Sequence, residues 1–201
     1  MSISDAQDRV ANKRSYRLGA RAVKREETRR RIVEAAVDLH CSVGPARTTV
    51  AQIAERAGVQ RHTYYAHFPD ERELFLACSG LALERDPLPA VAEWRALPPG
   101  RERLREGLAQ IYAWYRRNDG QAACVLRDAE HHALTREIVA LRMAPTFEQA
   151  AAVLAEGLAD RARPLLLVAL QFATWRTLAP AHDPDSAAAL MADALLALPA
   201  A

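Results

Sequence analysis

The sequence predicts an all-α protein, a small N-terminal helical head followed by a longer helical body. Three observations carry this. Ile32, Ala35, Ala36 and Leu39 form an apolar stripe at helical spacing that stops at Gly44-Pro45. The stretch Thr48 to Phe68, TTVAQIAERAGVQRHTYYAHF, reads as two short helices joined by a tight turn. From Arg101 onward, apolar residues at three- and four-residue spacing mark about five further helices, separated by Asn-Asp-Gly and proline-containing breaks.

Taken in order, residues 1–22 are polar, basic and weakly periodic, and are expected to form a mobile arm. The first helix is expected from about Lys24 to Val43, with Arg29-Arg30-Arg31 on an exposed turn. In the paired helices Thr49 suits the N-cap, and Val50, Ile53, Ala54 and Ala57 share one face. Gly58 stands where a helix ends in a left-handed residue, and Val59 plugs the turn. Pro69-Asp70 begins the next helix, lined by Leu74, Phe75, Cys78, Leu81 and Leu83. Pro87, Pro89 and Pro98-Pro99-Gly100 then interrupt the chain.

In the body, Leu104, Leu108, Ile111, Tyr112 and Tyr115 mark a helix ending near Asn118. A shorter helix is expected over Gln121–His132, and another over about Thr135–Asp160, bent at Pro145. The last two are expected over Ala162–Leu178 and Asp185–Leu198. The penultimate one is apolar almost all round, and the final one is mostly alanine and leucine. Helices of this kind need cover on nearly every side, which a second copy of the chain would supply as a four-helix bundle. A homodimer through these two helices is therefore expected.

The net charge of +2 conceals an asymmetry: residues 9–31 hold ten Lys or Arg against two acids, and the remainder is net acidic. A basic N-terminal part on an acidic body points to a polyanion at one end, and nucleic acid fits best. Three widely spaced cysteines, Cys41, Cys78 and Cys124, offer no Cys-x-x-Cys pair and no even disulfide framework. The N-terminus lacks the apolar core of a signal peptide, and the most apolar stretch, Pro164 to Pro180, is interrupted by Gln171, Thr174, Arg176 and Thr177. A soluble cytoplasmic protein is expected. On the second of the paired helices, Arg61, His62, Thr63 and Tyr65 offer hydrogen-bond donors and aromatic edges. Such groups are wanted at the start of a helix lying in the DNA major groove.

The stretch from Thr28 to Leu74 resembles the DNA-binding domain of the TetR family of transcriptional regulators. The resemblance rests on Ile32, Ala36, Leu39, Gly44, Thr49, Ile53-Ala54, Ala57-Gly58-Val59, Thr63, Tyr65, His67-Phe68 and Leu74. It implies a helix-turn-helix DNA-binding domain at residues 23–69 and a ligand-binding and dimerisation domain at residues 70–201, with the helix after Pro69 linking the two. It also implies a dimeric regulator whose affinity for a palindromic operator is altered by a small effector. The expected DNA-contacting residues are Thr49, Gln60, Arg61, His62, Thr63, Tyr65 and His67. By the resemblance, Thr49 and Tyr65 contact phosphates. Three departures stand out: Glu71 where a lysine commonly meets phosphate, His40 where phenylalanine is usual after the leucine, and His62 in place of a small residue.

Trp94, Tyr112, Tyr115, Cys124, His131, Met143, Phe147 and Trp175 are the expected lining of a largely apolar effector pocket. The cluster DAEHH, with Asp128, Glu130, His131 and His132, has metal-ligand residue types, but adjacent histidines point about 100° apart on a helix. No catalytic residues, metal site or cofactor are therefore expected. Two other readings are carried forward: a ligand-independent architectural DNA-binding protein, and a helical enzyme using Asp128 and His132.

Overall fold

The computed structural model describes residues 3–198, with side chains described from Gly19 onward. Among the described residues all regular structure is helical. The chain forms two compact units: residues up to Leu39 with Thr48–Leu81, and His40–Arg47 with the residues from Ala82 on.

The first unit contains most of α1 (Ile3–Ser42), α2 (Val50–Arg56), α3 (Arg61–His67) and most of α4 (Glu71–Arg85). Its buried residues include Ile32, Val33, Ala35, Ala36 and Val37 of α1, Ile53 and Ala54 of α2, Tyr64 of α3, and Leu74, Phe75 and Cys78 of α4. The spacing on α1 is the helical stripe that the sequence shows. The helix itself begins at Ile3 rather than near Lys24. Residues 5–27 contain no proline and are rich in alanine, arginine and lysine, so nothing stops the helix where the apolar stripe ends. The side chains of residues 1–18, which include much of the expected arm, lie outside the described residues.

The second unit begins with the end of α1 and a 3-10 turn, Pro45–Arg47, and resumes at Ala82 with the end of α4, followed by a second 3-10 segment, Val91–Ala96. It then comprises α5 (Arg101–Arg117), α6 (Asp119–Ala129), α7 (Ala133–Leu154), α8 (Arg163–Ala169), α9 (Phe172–Leu178) and α10 (Pro184–Leu196). The most extensive helix pair is α5 with α10. In the core, Leu104, Leu108, Ile111, Tyr112 and Tyr115 of α5 cluster with Ala187, Ala188, Ala192 and Leu195 of α10. The small alanines let the two backbones approach closely. Gly107 on α5 admits side chains of other elements, since a Cβ there would lie 2.7 Å from Leu154 of α7 and 3.0 Å from Trp94 of the Val91–Ala96 segment. Trp94 donates its ring N–H to Gln110 at 2.9 Å, which satisfies the polar atom of an otherwise buried side chain.

Two expected helices differ in extent. α7 stops at Leu154 instead of continuing to Asp160, and Gly157 follows with φ +84°. A left-handed residue cannot continue a right-handed helix. The expected single helix over Ala162–Leu178 is two seven-residue helices, α8 and α9, because Gln171 is extended, with ψ 140°. The break is stabilised from α5. The Tyr112 hydroxyl donates to the Ala169 carbonyl at 2.8 Å, and the Tyr115 hydroxyl to the Leu170 carbonyl at 2.7 Å. Two carbonyls orphaned by the helix end thus find buried donors. Pro145 lies within α7, where it contributes no backbone donor.

Candidate nucleic-acid interface and ligand cavity

The paired helices are locked at each end by local chemistry. Thr49 is the N-cap of α2: its hydroxyl accepts from the Gln52 amide at 3.3 Å, and the Gln52 side chain accepts from the Thr49 amide at 2.8 Å. This reciprocal pair satisfies two amides that a helix start otherwise leaves open. At the other end Gly58 has φ +64°, with Gly58 N–H bonded to Glu55 at 3.0 Å and Val59 N–H to Ala54 at 2.9 Å. These are the two bonds of a Schellman turn, which closes α2 and directs the chain into α3.

Tyr64 anchors α3. It is 2% exposed and lies near Tyr65 and Phe68, with ring centroids 5.3 and 6.2 Å away. Burial, then Glu71, pushes its hydroxyl up to about pKa 12, so it stays a neutral core group. Arg29 of α1 stacks over Phe68 at 4.6 Å. With one face of α3 so occupied, Gln60, Arg61, His62 and Tyr65 are exposed, Tyr65 by 54%. Thr63 and His67 are half-buried. Gln60 is the N-cap of α3 but makes no side-chain cap bond, and Thr63 Oγ1 lies 3.3 Å from His62 Nε2. His67 is held below its ordinary pKa by burial and then by Arg25 and Arg29, so its surroundings are already cationic. All seven expected DNA-contacting residues thus lie at the cap of α2 or along α3, and four of them are exposed together with Thr49. Glu71 and Glu73 occupy the first turn of α4, where they complement the positive helix end.

In the second unit the DAEHH cluster divides into separate structural tasks. Asp128 is 1% exposed, accepts the Ala46 amide at 2.9 Å and pairs with Arg127 at 2.8 Å. Burial raises its pKa, but the Ala46 amide, Arg127 and His131 outweigh that effect, and the carboxyl rests below its usual range. Arg127 also donates to the Val43 carbonyl at 3.2 Å. The carboxylate closes so tightly on the turn that a Cβ at Gly44, whose φ is +102°, would stand 2.4 Å from Asp128 Oδ2. His132 caps α7 by accepting from the Thr135 amide. His131 is exposed. His40, at the end of α1, is 6% exposed, and burial lowers its pKa to about 4, against an opposing pull from Asp128.

A cavity of about 950 Å³ lies between the end of α6, α7 and the α8–α9 break. Its apolar wall includes Tyr115, Leu126, Val139, Met143, Phe147, Leu167, Leu170 and Phe172. Arg127, Glu130, Glu148, Gln171 and Arg176 supply its polar atoms. Tyr115 stacks on Phe147 at 6.1 Å and meets Phe172 edge-on at 5.3 Å.

Of the eight residues expected to line a pocket, Tyr115, Met143 and Phe147 do so. Trp94, Tyr112 and Trp175 belong to the core beneath, each 3% exposed or less. Cys124 lies against the Ser42 carbonyl instead, at 3.8 Å. Sequence reasoning missed Phe172 and Gln171 because it ran one helix through them. It missed Val139 too, although Val139, Met143 and Phe147 recur every fourth residue and could have been read as one α7 face.

These features define a helix-turn-helix head joined to a helical body that contains a cavity. Residues 32–78 match the model of a family described as bacterial regulatory proteins, tetR family. The HTH-type transcriptional regulator TtgR of Pseudomonas putida is 50% identical over 52 residues, 26% of this chain and 25% of that protein. The regulator SrpR of Pseudomonas putida is 40% identical over 67 residues, 33% of this chain and 30% of its own length. The chain therefore spans only about a quarter to a half of the length of the curated relatives it matches. Beyond that stretch the likeness is of fold. A solved HlyIIR mutant superposes with TM-score 0.64 at 18% identity, covering 86% of this chain and 99% of that one. FadR from Bacillus subtilis, in complex with stearoyl-CoA, gives 0.58 at 19% identity, covering 83% and 97%. Residues 32–78 thus match the tetR family of bacterial regulatory proteins, and over the rest of the chain the likeness is one of fold alone.

Proposed function

We propose that the protein is a ligand-responsive transcriptional repressor that binds a palindromic operator as a homodimer. The observation that carries this reading is α3, held by buried Tyr64 so that Arg61, His62 and Tyr65 remain exposed on a capped helix-turn-helix. Arg61, His62 and Thr63 would meet base edges in the major groove, with Gln60 beside them. Thr49, Tyr65 and His67 would hold phosphates. The basic residues of the N-terminal arm would add sequence-independent affinity.

The dimer would form through α8 and α10, where Val168 and Leu190 are exposed by 44% and 45%. Apolar exposure of this kind is unusual on a free surface, and it supports a partner there. A dimer would present two copies of α3 about one DNA turn apart (~34–36 Å), which suits a palindrome.

The 950 Å³ cavity would receive the effector. Leu126, Arg127 and Glu130 line it, and Asp128 on the same helical turn holds the Ala46 amide. Displacing the last turn of α6 would therefore move the segment that leads into the Thr49 cap. Such a ligand acts only if it binds the two arrangements with different affinities.

The test is selection of the purified protein on random duplex DNA, followed by footprinting of the recovered sequence. One palindrome, lost with Arg61→Ala or Tyr65→Ala, is expected. Recovery of no preferred sequence, with binding that disappears as salt rises and on removal of residues 1–22, would replace this reading with a ligand-independent architectural DNA-binding protein.

A further inference from the structure

The charge on the cavity wall is less balanced than its residue types suggest. Two arginines and two glutamates line it. Each arginine already has a counter-ion from outside the lining: Arg127 pairs with Asp128 at 2.8 Å, and Arg176 with Asp119 at 3.5 Å. Arg176 also lies over the Phe172 ring at 5.8 Å. Neither Glu130 nor Glu148 has a side-chain ion pair or hydrogen bond among the described residues. Along α7, the positions three and four residues from Glu148 are Ala144, Pro145, Ala151 and Ala152, so no cation on its own helix can reach it. The Arg136 guanidinium near Glu130 is bonded to the backbone carbonyls of Ala129 and Glu130. The wall thus combines, with the aromatic faces of Tyr115, Phe147 and Phe172, two exposed carboxylates that form no ion pair among the described residues.

We propose that the cavity is selective for hydrophobic organic cations that carry aromatic groups. This rests on the cavity being the effector site, and it adds the charge and shape of the ligand. The aromatic and aliphatic wall would take up the apolar body, and the ring faces attract cationic charge through their quadrupoles. Glu130 and Glu148 supply the countercharge, which an anion of the same shape would meet as repulsion. The engaged state of Arg127 and Arg176 leaves little to compensate such an anion.

Tetraphenylphosphonium and tetraphenylborate are nearly isosteric and opposite in charge, so they isolate this claim. The neutral fluorescent probe N-phenyl-1-naphthylamine first reports whether the cavity takes up an aromatic guest, with Ala144→Trp as the cavity-filling control. The probe is expected to bind wild type and not Ala144→Trp. Tetraphenylphosphonium is then expected to displace it at roughly tenfold lower concentration than tetraphenylborate, a preference that corresponds to one decade in affinity. The preference should shrink several-fold in Glu130→Gln and Glu148→Gln and vanish in the double variant, with probe affinity retained. Equal displacement by the two ions, or a preference for the borate, would overturn the cation selectivity while leaving the cavity as a site. A probe that fails to bind wild type, or that binds Ala144→Trp equally, would remove the cavity reading and this inference with it.

Discussion

Lowering the pH from 7 to 4.5 should destabilise the second unit, largely through His40. This side chain is buried, and its pKa is lowered from 6.5 to about 4. Burial is the main cause, His132 adds to it, and Asp128 opposes it. Between these two values the unfolded chain carries a proton on His40 that the folded chain does not. Stability is therefore complete above pH 6.5 and declines as the pH falls toward 4. The full difference is about 3 kcal/mol, with a slope approaching about 1.4 kcal/mol per pH unit inside the window. The carboxylates held low in this unit, Asp86, Asp128, Glu156 and Asp183, lose their contributions only below the ordinary carboxylate range. His67 shifts in the same direction as His40 but lies in the first unit. The readout must therefore report on the second unit alone. Trp94, Trp114 and Trp175 all lie there, so urea unfolding followed by tryptophan fluorescence suits the purpose. The wild-type midpoint should fall steadily between pH 7 and 4.5, and His40→Phe should flatten most of that fall. A variant that keeps the wild-type slope, or a wild-type midpoint that does not move, would refute the assignment to His40.

Other perturbations bear on separate parts of the molecule. Glu71→Lys replaces a carboxylate on the first turn of α4 with a cation. Operator affinity should rise roughly tenfold, with a salt dependence steeper by about one counterion per head; unchanged titrations at two salt concentrations would count against a phosphate near Glu71. Tyr115→Phe removes the donor to the Leu170 carbonyl at the α8–α9 break and should cost about 1–3 kcal/mol in the same urea assay. A midpoint equal to wild type would mean the carbonyl finds another donor. Asp128→Asn weakens the grip on the Ala46 amide and should reduce effector-induced release of DNA several-fold, with effector-free operator affinity kept. Equal release by variant and wild type, measured by fluorescence anisotropy, would exclude that route of coupling.

Local patterns in the sequence carried the head further than the body. The Thr49 cap, the left-handed Gly58 and the outward Tyr65 each depend on residues within five positions, so spacing alone reveals them. The cavity depends instead on a break between two helices that no local signal marks. Gln171 is an ordinary helix former, and the donors that satisfy the broken end come from α5, more than fifty residues earlier. Aromatic residues were therefore legible as a group, but not which of them face the cavity. Tyr112 and Tyr115, three apart on α5, both donate to the break, yet only Tyr115 lines the cavity.

The DAEHH cluster shows why residue type alone was a poor guide to role. Asp, Glu and two His within five positions suggest an ion site, yet the turn of the chain sends each elsewhere. Asp128 faces back to a turn 82 residues earlier, and His132 serves the start of the next helix. Two unusual residues belong to that arrangement. Gly44 is required because Asp128 occupies the space a Cβ would need, and His40 is buried nearby, where Asp128 only partly offsets the effect of burial on its pKa. The segment so held, His40–Arg47, is the covalent path from α1 to the Thr49 cap of α2. Under the proposed mechanism, displacement of the last turn of α6 would reach that path through the charge-assisted hydrogen bond from the Ala46 amide to Asp128. A carboxylate in this position is thus better understood as a mechanical fastening than as chemistry waiting for a metal.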